Sequence, residues 1–172
     1  MTNRVAALLA LAGDPTGELR RDAEVLLCHV LLSPRSYLYT WPERELDPAQ
    51  ADAFRRLLAE RRDGTPVAYL TGTREFWSLA LGVTSNTLIP RPDTERLVEI
   101  ALGLPLPDEA VVVDLGTGSG AVALALASER KTWRISAVDS SEDALAVARD
   151  NAQRLGLAVR CHAGDWFEPV QG

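Results

Sequence analysis

Cysteine, lysine and long apolar runs are scarce in this 172-residue sequence. The two cysteines, Cys28 and Cys161, each lie inside an apolar segment, and no Cys-x-x-Cys pair occurs. That pattern excludes a disulfide framework and a cysteine-clamped zinc site, and fits buried thiols in a reducing cytoplasm. The two histidines, His29 and His162, adjoin the cysteines. Adjacent residues point to opposite faces of a strand, or about 100° apart on a helix, so neither pair makes a good chelate and no metal is expected. No apolar run approaches the roughly 20 residues that span a bilayer, so no membrane partner is expected. Residues 1–14 offer only Arg4 before a short apolar stretch and no clear cleavage site; they read as a helix, not a leader. A single lysine, Lys131, stands beside 17 arginines, which reads as coding bias.

What is present is enough for a core. Apolar residues make up 47% of the chain, which excludes the disordered and low-complexity classes. The length allows one ordinary domain or two small ones. The net charge of −6 is unevenly spread. Residues 1–90 hold 10 basic and 11 acidic groups, and residues 91–172 hold 8 and 13. An acidic C-terminal half is poorly suited to a phosphate backbone, so no direct nucleic-acid partner is expected.

Residues 1 to about 64 read as helices. Leu19, Ala23, Leu26, Leu27, Val30 and Leu31 recur at spacings of three and four, with Ser33-Pro34 ending that helix. Asp47 can cap another, with Pro48 at its first position and Gly64 as its stop. The texture then changes. Residues 67–89 carry aromatic and β-branched side chains broken by the turn residues Gly72, Ser78, Gly82, Ser85 and Asn86, which predicts a hairpin with strands near 73–76 and 79–84. Pro90 and Pro92 impose an extended entry to a helix over about 93–103, with Asp93 and Glu95 where a helix N-terminus favours negative charge.

Strand and helix alternate thereafter. Ala110 to Asp114 reads as a strand buried on both faces, followed by helix 119–129, strand 134–139, helix 141–155 capped by Ser140 or Ser141 and stopped by Gly156, and strand 157–162. A β-α-β-α-β series requires right-handed crossovers and a doubly wound sheet. The domain boundaries expected are 1–72 helical, 73–90 hairpin linker and 91–172 α/β.

Three features carry chemistry. Asp114-Leu115-Gly116-Thr117-Gly118-Ser119-Gly120 joins a strand to a helix. Glycines let backbone pass close to a ligand, and the free N–H groups of a helix start favour an anion or carboxylate. A tight turn without a ligand is the plainer alternative. Asp139 ends the next strand, where an acid accepts hydrogen bonds from ribose hydroxyls in dinucleotide-binding folds; with Ser140 and Ser141 following, it could instead serve the next helix start. Gly164-Asp165-Trp166-Phe167 follows the third strand, at the same carboxyl edge. Asp165 could accept from an adenine amino group and Trp166 could stack on the base, or Trp166 could be a core residue. Dinucleotide loops usually read Gly-x-Gly-x-x-Gly to pass a pyrophosphate. Here the third glycine comes one residue early, which disfavours NAD and favours S-adenosylmethionine.

The Asp114–Gly120 stretch resembles the first motif of class I S-adenosylmethionine-dependent methyltransferases. Pro66 to Trp77, Leu88-Ile89-Pro90-Arg91-Pro92-Asp93-Thr94-Glu95, Ala125-Leu126-Ala127 and Asp165-Trp166-Phe167 together resemble the release factor glutamine methyltransferases of the HemK/PrmC type. The resemblance covers nearly the whole chain. It implies an α/β fold: a small helical N-terminal domain that helps dock the substrate, a β-hairpin connector, and the first half of a Rossmann-like domain. It implies that Gly116, Thr117, Gly118, Ser119 and Gly120 hold the amino-acid end of S-adenosyl-L-methionine, Asp139 the ribose, and Asp165 and Trp166 the adenine region. The implied reaction is N5-methylation of the glutamine in the Gly-Gly-Gln motif of peptide chain release factors, in the cytoplasm, by a protein monomeric when complete. Arg91 and Glu95 would lie over the active site or simply belong to a proline-stiffened connection.

The family's Asn-Pro-Pro-Tyr motif, which holds the substrate amide, does not occur in these 172 residues. In the strand order 3-2-1-4-5-7-6 that the resemblance implies, strand one is central; with three strands it would stand at an open edge, an aggregation hazard. The chain is therefore expected to be a fragment that binds cofactor but does not methylate, with no catalytic residue of its own. A nucleic-acid amino-group methyltransferase and a non-catalytic cofactor-binding module remain as alternatives.

Overall fold

The computed structural model describes residues 2–170, which fall into two compact units divided between Thr71 and Gly72. No helix among the described residues is long and apolar enough to cross a membrane.

The first unit is helical: α1 (Val5–Ala10), α2 (Glu18–Leu31), α3 (Arg35–Thr40), α4 (Pro48–Arg62) and α5 (Val67–Thr71). The apolar stripe of α2 delivers Ala23, Leu26 and Leu27 to a core shared with Leu8, Leu38, Phe54 and Leu58. Asp47 caps α4 by accepting from the Ala49 amide at 2.7 Å, with Pro48 beside it. Leu32, in the left-handed region at φ 49°, closes α2 one residue before Ser33. Two short helices, α3 and α5, lie in the stretch expected to be helical but had no bounds of their own in the sequence. The chain between Pro34 and Trp41 winds into α3 behind Pro34, whose carbonyl accepts from the Tyr37 amide. The chain after Pro66 winds into α5, because the Pro66 carbonyl accepts from the Tyr69 and Leu70 amides. One turn of helix needs few favourable residues once a proline has fixed its entry, so the β-branched texture there misleads.

Glu24 is the buried acid of this unit. Burial alone would raise its pKa, but bonds from the Tyr39 hydroxyl, Arg35 and Arg20 outweigh that and hold its carboxyl below the usual range.

The second unit opens with a hairpin, β1 (Thr73–Phe76) and β2 (Leu79–Gly82), paired Thr73 to Gly82 through Phe76 to Leu79. Strand β2 stops at Gly82, two residues before the expected end. The two-residue turn has positive φ at both Trp77 (51°) and Ser78 (58°), a conformation usually given to Asn-Gly. It is held from outside: the Trp77 amide donates to Glu95 at 2.9 Å and its indole Nε1 donates to Glu129 at 2.8 Å.

A single 3₁₀ turn, Pro92–Thr94, leads into α6 (Glu95–Gly103). Then come β3 (Val111–Leu115), α7 (Ala121–Glu129), β4 (Arg134–Asp139), α8 (Glu142–Leu155) and β5 (Val159–Ala163). The sheet is parallel in the order β3-β4-β5. Ser141 caps α8 by accepting from the Ala144 amide, and Gly156 closes it at φ 65°. Val112, Ile135, Ala137, Val159 and Cys161 turn one sheet face towards Leu124, Leu126 and the rest of the core. The alternate residues Val111, Arg134 and Arg160 are exposed. Strand β3 is thus not buried on both faces as its apolar run predicts: Val111 is 66% exposed. Among the described residues β3 pairs only with β4, so its outer edge has no partner strand.

Phe54 is fully buried in the helical unit. Phe54→Ala is expected to destabilise that unit by about 3–5 kcal/mol, read by urea denaturation of the far-ultraviolet helix signal.

Candidate functional site

The carboxyl ends of the three parallel strands meet around one cavity of about 230 Å³. Leu115 and Gly116 line it from the end of β3, Val138, Asp139 and Ser140 from β4, and Gly164, Asp165 and Trp166 from β5. Open α/β sheets bind ligands at this edge. Of the residues singled out in the sequence, Gly116, Asp139, Asp165 and Trp166 come together here. Thr117, Gly118, Ser119 and Gly120 do not line the cavity, and Thr117 and Ser119 are buried within the loop. The sequence reading missed Leu115, Val138 and Ser140, whose only signal is their place beside the motif residues.

Backbone geometry explains the glycines. Gly116 and Gly118 take φ of 72° and 55°, and a Cβ added to either would meet nothing within 4 Å. That side of the loop is open, so backbone can approach a ligand there. Gly120, at φ 84°, is different. A Cβ would come within 3.0 Å of Leu124 and 3.3 Å of Ala148, so this glycine serves close packing.

Strand β4 holds the loop in place. The Val138 carbonyl accepts from both the Gly116 amide (2.9 Å) and the Thr117 amide (3.0 Å). Asp139 Oδ2 accepts from the Gly118 amide at 2.8 Å, and its Oδ1 accepts from the Ser141 amide at 3.0 Å. Asp139 therefore supports the start of α8, one of the two roles the sequence left open, and it also lines the cavity. Among the described residues each oxygen has one hydrogen-bond partner, which leaves an acceptor site on each.

Asp114 lies under the loop and not in the cavity. Its Oδ2 accepts from Thr117 Oγ1 at 2.7 Å and from the Ala123 amide at 3.2 Å, bracing the loop against the first turn of α7. Burial pushes its pKa up, helped by the nearby Asp139 charge and opposed by those two hydrogen bonds.

Trp166 is 70% exposed with φ 49°. It is not a core tryptophan: its backbone is turned so that the indole stands at the cavity rim. Glu95 binds the hairpin turn, and Arg91 does not line the cavity. No group of three or more His, Cys, Asp or Glu among the described residues could hold a metal ion.

The raised pKa of Asp114 has a pH signature. The folded chain binds the Asp114 proton more tightly than the unfolded chain does. Its contribution to stability is fully present below the unfolded value of 3.8 and is lost as pH rises through the higher folded value. Relative to Asp114→Asn, the wild-type chain should therefore gain stability as pH is lowered toward 3.8, measured by urea denaturation across that range. A difference that grows in the wild type's favour with rising pH would contradict this sign.

Residues 2–72 match the family model of the PrmC N-terminal domain, and residues 106–171 match a methyltransferase domain. The release factor glutamine methyltransferase of Shewanella oneidensis is 55% identical over 150 residues, which is 87% of this chain and 52% of that protein. The Escherichia coli protein of the same name is 50% identical over 155 residues, or 89% of this chain and 56% of that protein. Among solved structures, a Pyrococcus abyssi tRNA (uracil-54, C5)-methyltransferase in complex with S-adenosyl-L-homocysteine matches 54% of this chain and 23% of that one, at 17% identity and a TM-score of 0.46. The chain spans about half the length of the curated relatives it matches. With this identity running across both of its units, the chain belongs to the family of release factor glutamine methyltransferases of the PrmC type.

Proposed function

We propose that this chain binds S-adenosyl-L-methionine and supplies the cofactor half of a release factor glutamine methyltransferase. The observation that carries the reading is Asp139. Its two carboxylate oxygens, each with a free acceptor site, face a cavity at the sheet's carboxyl edge. A ribose presents two neighbouring hydroxyls to such a carboxylate. The open backbone at Gly116 and Gly118, with the rest of the Gly116–Gly120 loop, would receive the amino-acid end of the cofactor. Asp165 would accept from the adenine amino group, and the exposed Trp166 would flank the base. Bound there, the cofactor would supply an electrophilic methyl group on a sulfonium.

The acceptor would be the glutamine of the Gly-Gly-Gln motif in peptide chain release factors, methylated at N5 in the cytoplasm as part of translation termination. A planar amide nitrogen is a weak nucleophile, so the reaction needs groups that fix and polarise that amide. The family assigns this to an Asn-Pro-Pro-Tyr motif, which these 172 residues do not contain. No catalytic residue is therefore assigned here. The helical unit would dock the release factor. An apolar groove between α2 and α4, lined by Val30, Leu32, Ala53 and Leu57 and flanked by Arg56 and Glu60, supports that role.

Isothermal titration with S-adenosylhomocysteine tests the cofactor reading. The chain should bind it and not NAD. Asp139→Ala should weaken binding by about 10- to 100-fold, the size of a lost charge-assisted hydrogen bond pair. Binding of NAD in preference to the homocysteine compound would overturn the reading.

A further inference from the structure

Asn151 is fully buried on α8, where an unsatisfied amide would be costly. Its amide is saturated. Nδ2 donates to the Gly82 carbonyl at 3.0 Å and to the Ser119 carbonyl at 2.9 Å. Oδ1 accepts from the Gly82 amide at 2.6 Å and from the Arg154 guanidinium at 2.6 Å. Reversing the amide would set donors against donors at Gly82 and Arg154, so the network fixes its orientation.

This one side chain touches two elements distant in sequence. On one side it pairs with both backbone groups of Gly82, as a neighbouring strand would, and so covers the outer edge of β2. Arg154, one turn further along α8, reaches the Ala80 carbonyl of the same strand. On the other side Asn151 holds the Ser119 carbonyl, next to the Gly118 amide that Asp139 binds. Gly82, read from the sequence as a turn residue, has no positive φ. It is glycine because a Cβ would stand 3.0 Å from Asn151 Oδ1 and 3.3 Å from Arg154. Close approach of the hairpin to Asn151 is what the position demands.

We propose that Asn151 is a positioning residue that couples the glycine loop Gly116–Gly120 to the hairpin β1–β2, so that ligand at the carboxyl-edge cavity steadies the hairpin and displacement of the hairpin weakens that ligand. The ligand half of this rests on reading the cavity as an S-adenosylmethionine site. Asn151 touches neither the cavity nor any reacting group; it acts through the Ser119 carbonyl. An aliphatic residue there would hold neither carbonyl and would leave the Gly82 amide without this partner.

The test uses the 172-residue chain with Gly82→Ala and Asn151→Asp, read by titration with S-adenosylhomocysteine and by amide hydrogen exchange. Gly82→Ala lies outside the cavity and crowds Asn151 from the hairpin side. It should weaken the ligand by about threefold or more and speed exchange at 118–120. Asn151→Asp keeps the acceptor but loses both donors, and should weaken the ligand by about tenfold. Saturating ligand should slow exchange at 79–83 in the wild type and not in Asn151→Asp, a difference that a merely structural Asn151 would not produce. Equal protection of the hairpin in both chains, or wild-type loop exchange in Gly82→Ala, would overturn the proposal. Failure of the unaltered chain to bind S-adenosylhomocysteine would sink the cofactor reading instead. The loop-exchange comparison needs no ligand and would still decide the coupling.

Discussion

The carboxyl edge of the sheet depends on Asp139. One oxygen holds the Gly118 amide and the other holds the Ser141 amide, so a single carboxylate ties the glycine loop to the start of α8. The parallel register makes this possible. Leu115 pairs with Val138, which brings the residue after Leu115 beneath the Val138 carbonyl and the loop beyond it within reach of Asp139. A shift of one residue would turn that carboxylate to the opposite face of the sheet. The same register brings Gly164 under Asp139, where the Gly164 amide donates to the Asp139 carbonyl at 3.1 Å. Three strand ends thus converge on one residue's backbone and side chain.

The carboxylates divide the work. Asp114 lies beneath the loop and braces it from below, and the cost of burial shows in its raised pKa. Asp139 stands above, with an acceptor site left on each oxygen. Two acids on neighbouring strands, each at a strand end, therefore have opposite tasks: one shapes the loop and the other faces outward to whatever the loop receives. Their hydrogen-bond partners separate them where residue type cannot.

Much of this was readable in the sequence. Glycine spacing between an apolar run and a helix located the loop, and the acid ending the next strand located its partner. Asp47-Pro48, Ser141 and Gly156 marked helix ends because capping is local chemistry, decided within a few residues. The rest is either too short to carry a pattern or depends on distant neighbours. The helices α3 and α5 follow single proline-fixed turns and are too short to show a period. Val111 is exposed together with its register partner Arg134 on the opposite face from the core, which its apolar run cannot convey. Asn151 sits in a polar-looking helix and gains its meaning from a hairpin about seventy positions away. Gly82 looked like a turn residue because glycine at a strand end usually is one.

The hairpin turn leads to one more consequence. Trp77 and Ser78 occupy backbone positions that glycine or asparagine fills more readily, and the turn is kept by Glu95 and Glu129 rather than by its own preferences. An Asn-Gly pair would suit the turn better and would retain the backbone bond to Glu95, but it would cut the indole bond to Glu129. Improving the local conformation would then unfasten the hairpin from α7. At this corner the seat of the hairpin outranks the comfort of its turn, and optimising the sequence one residue at a time would move it the wrong way.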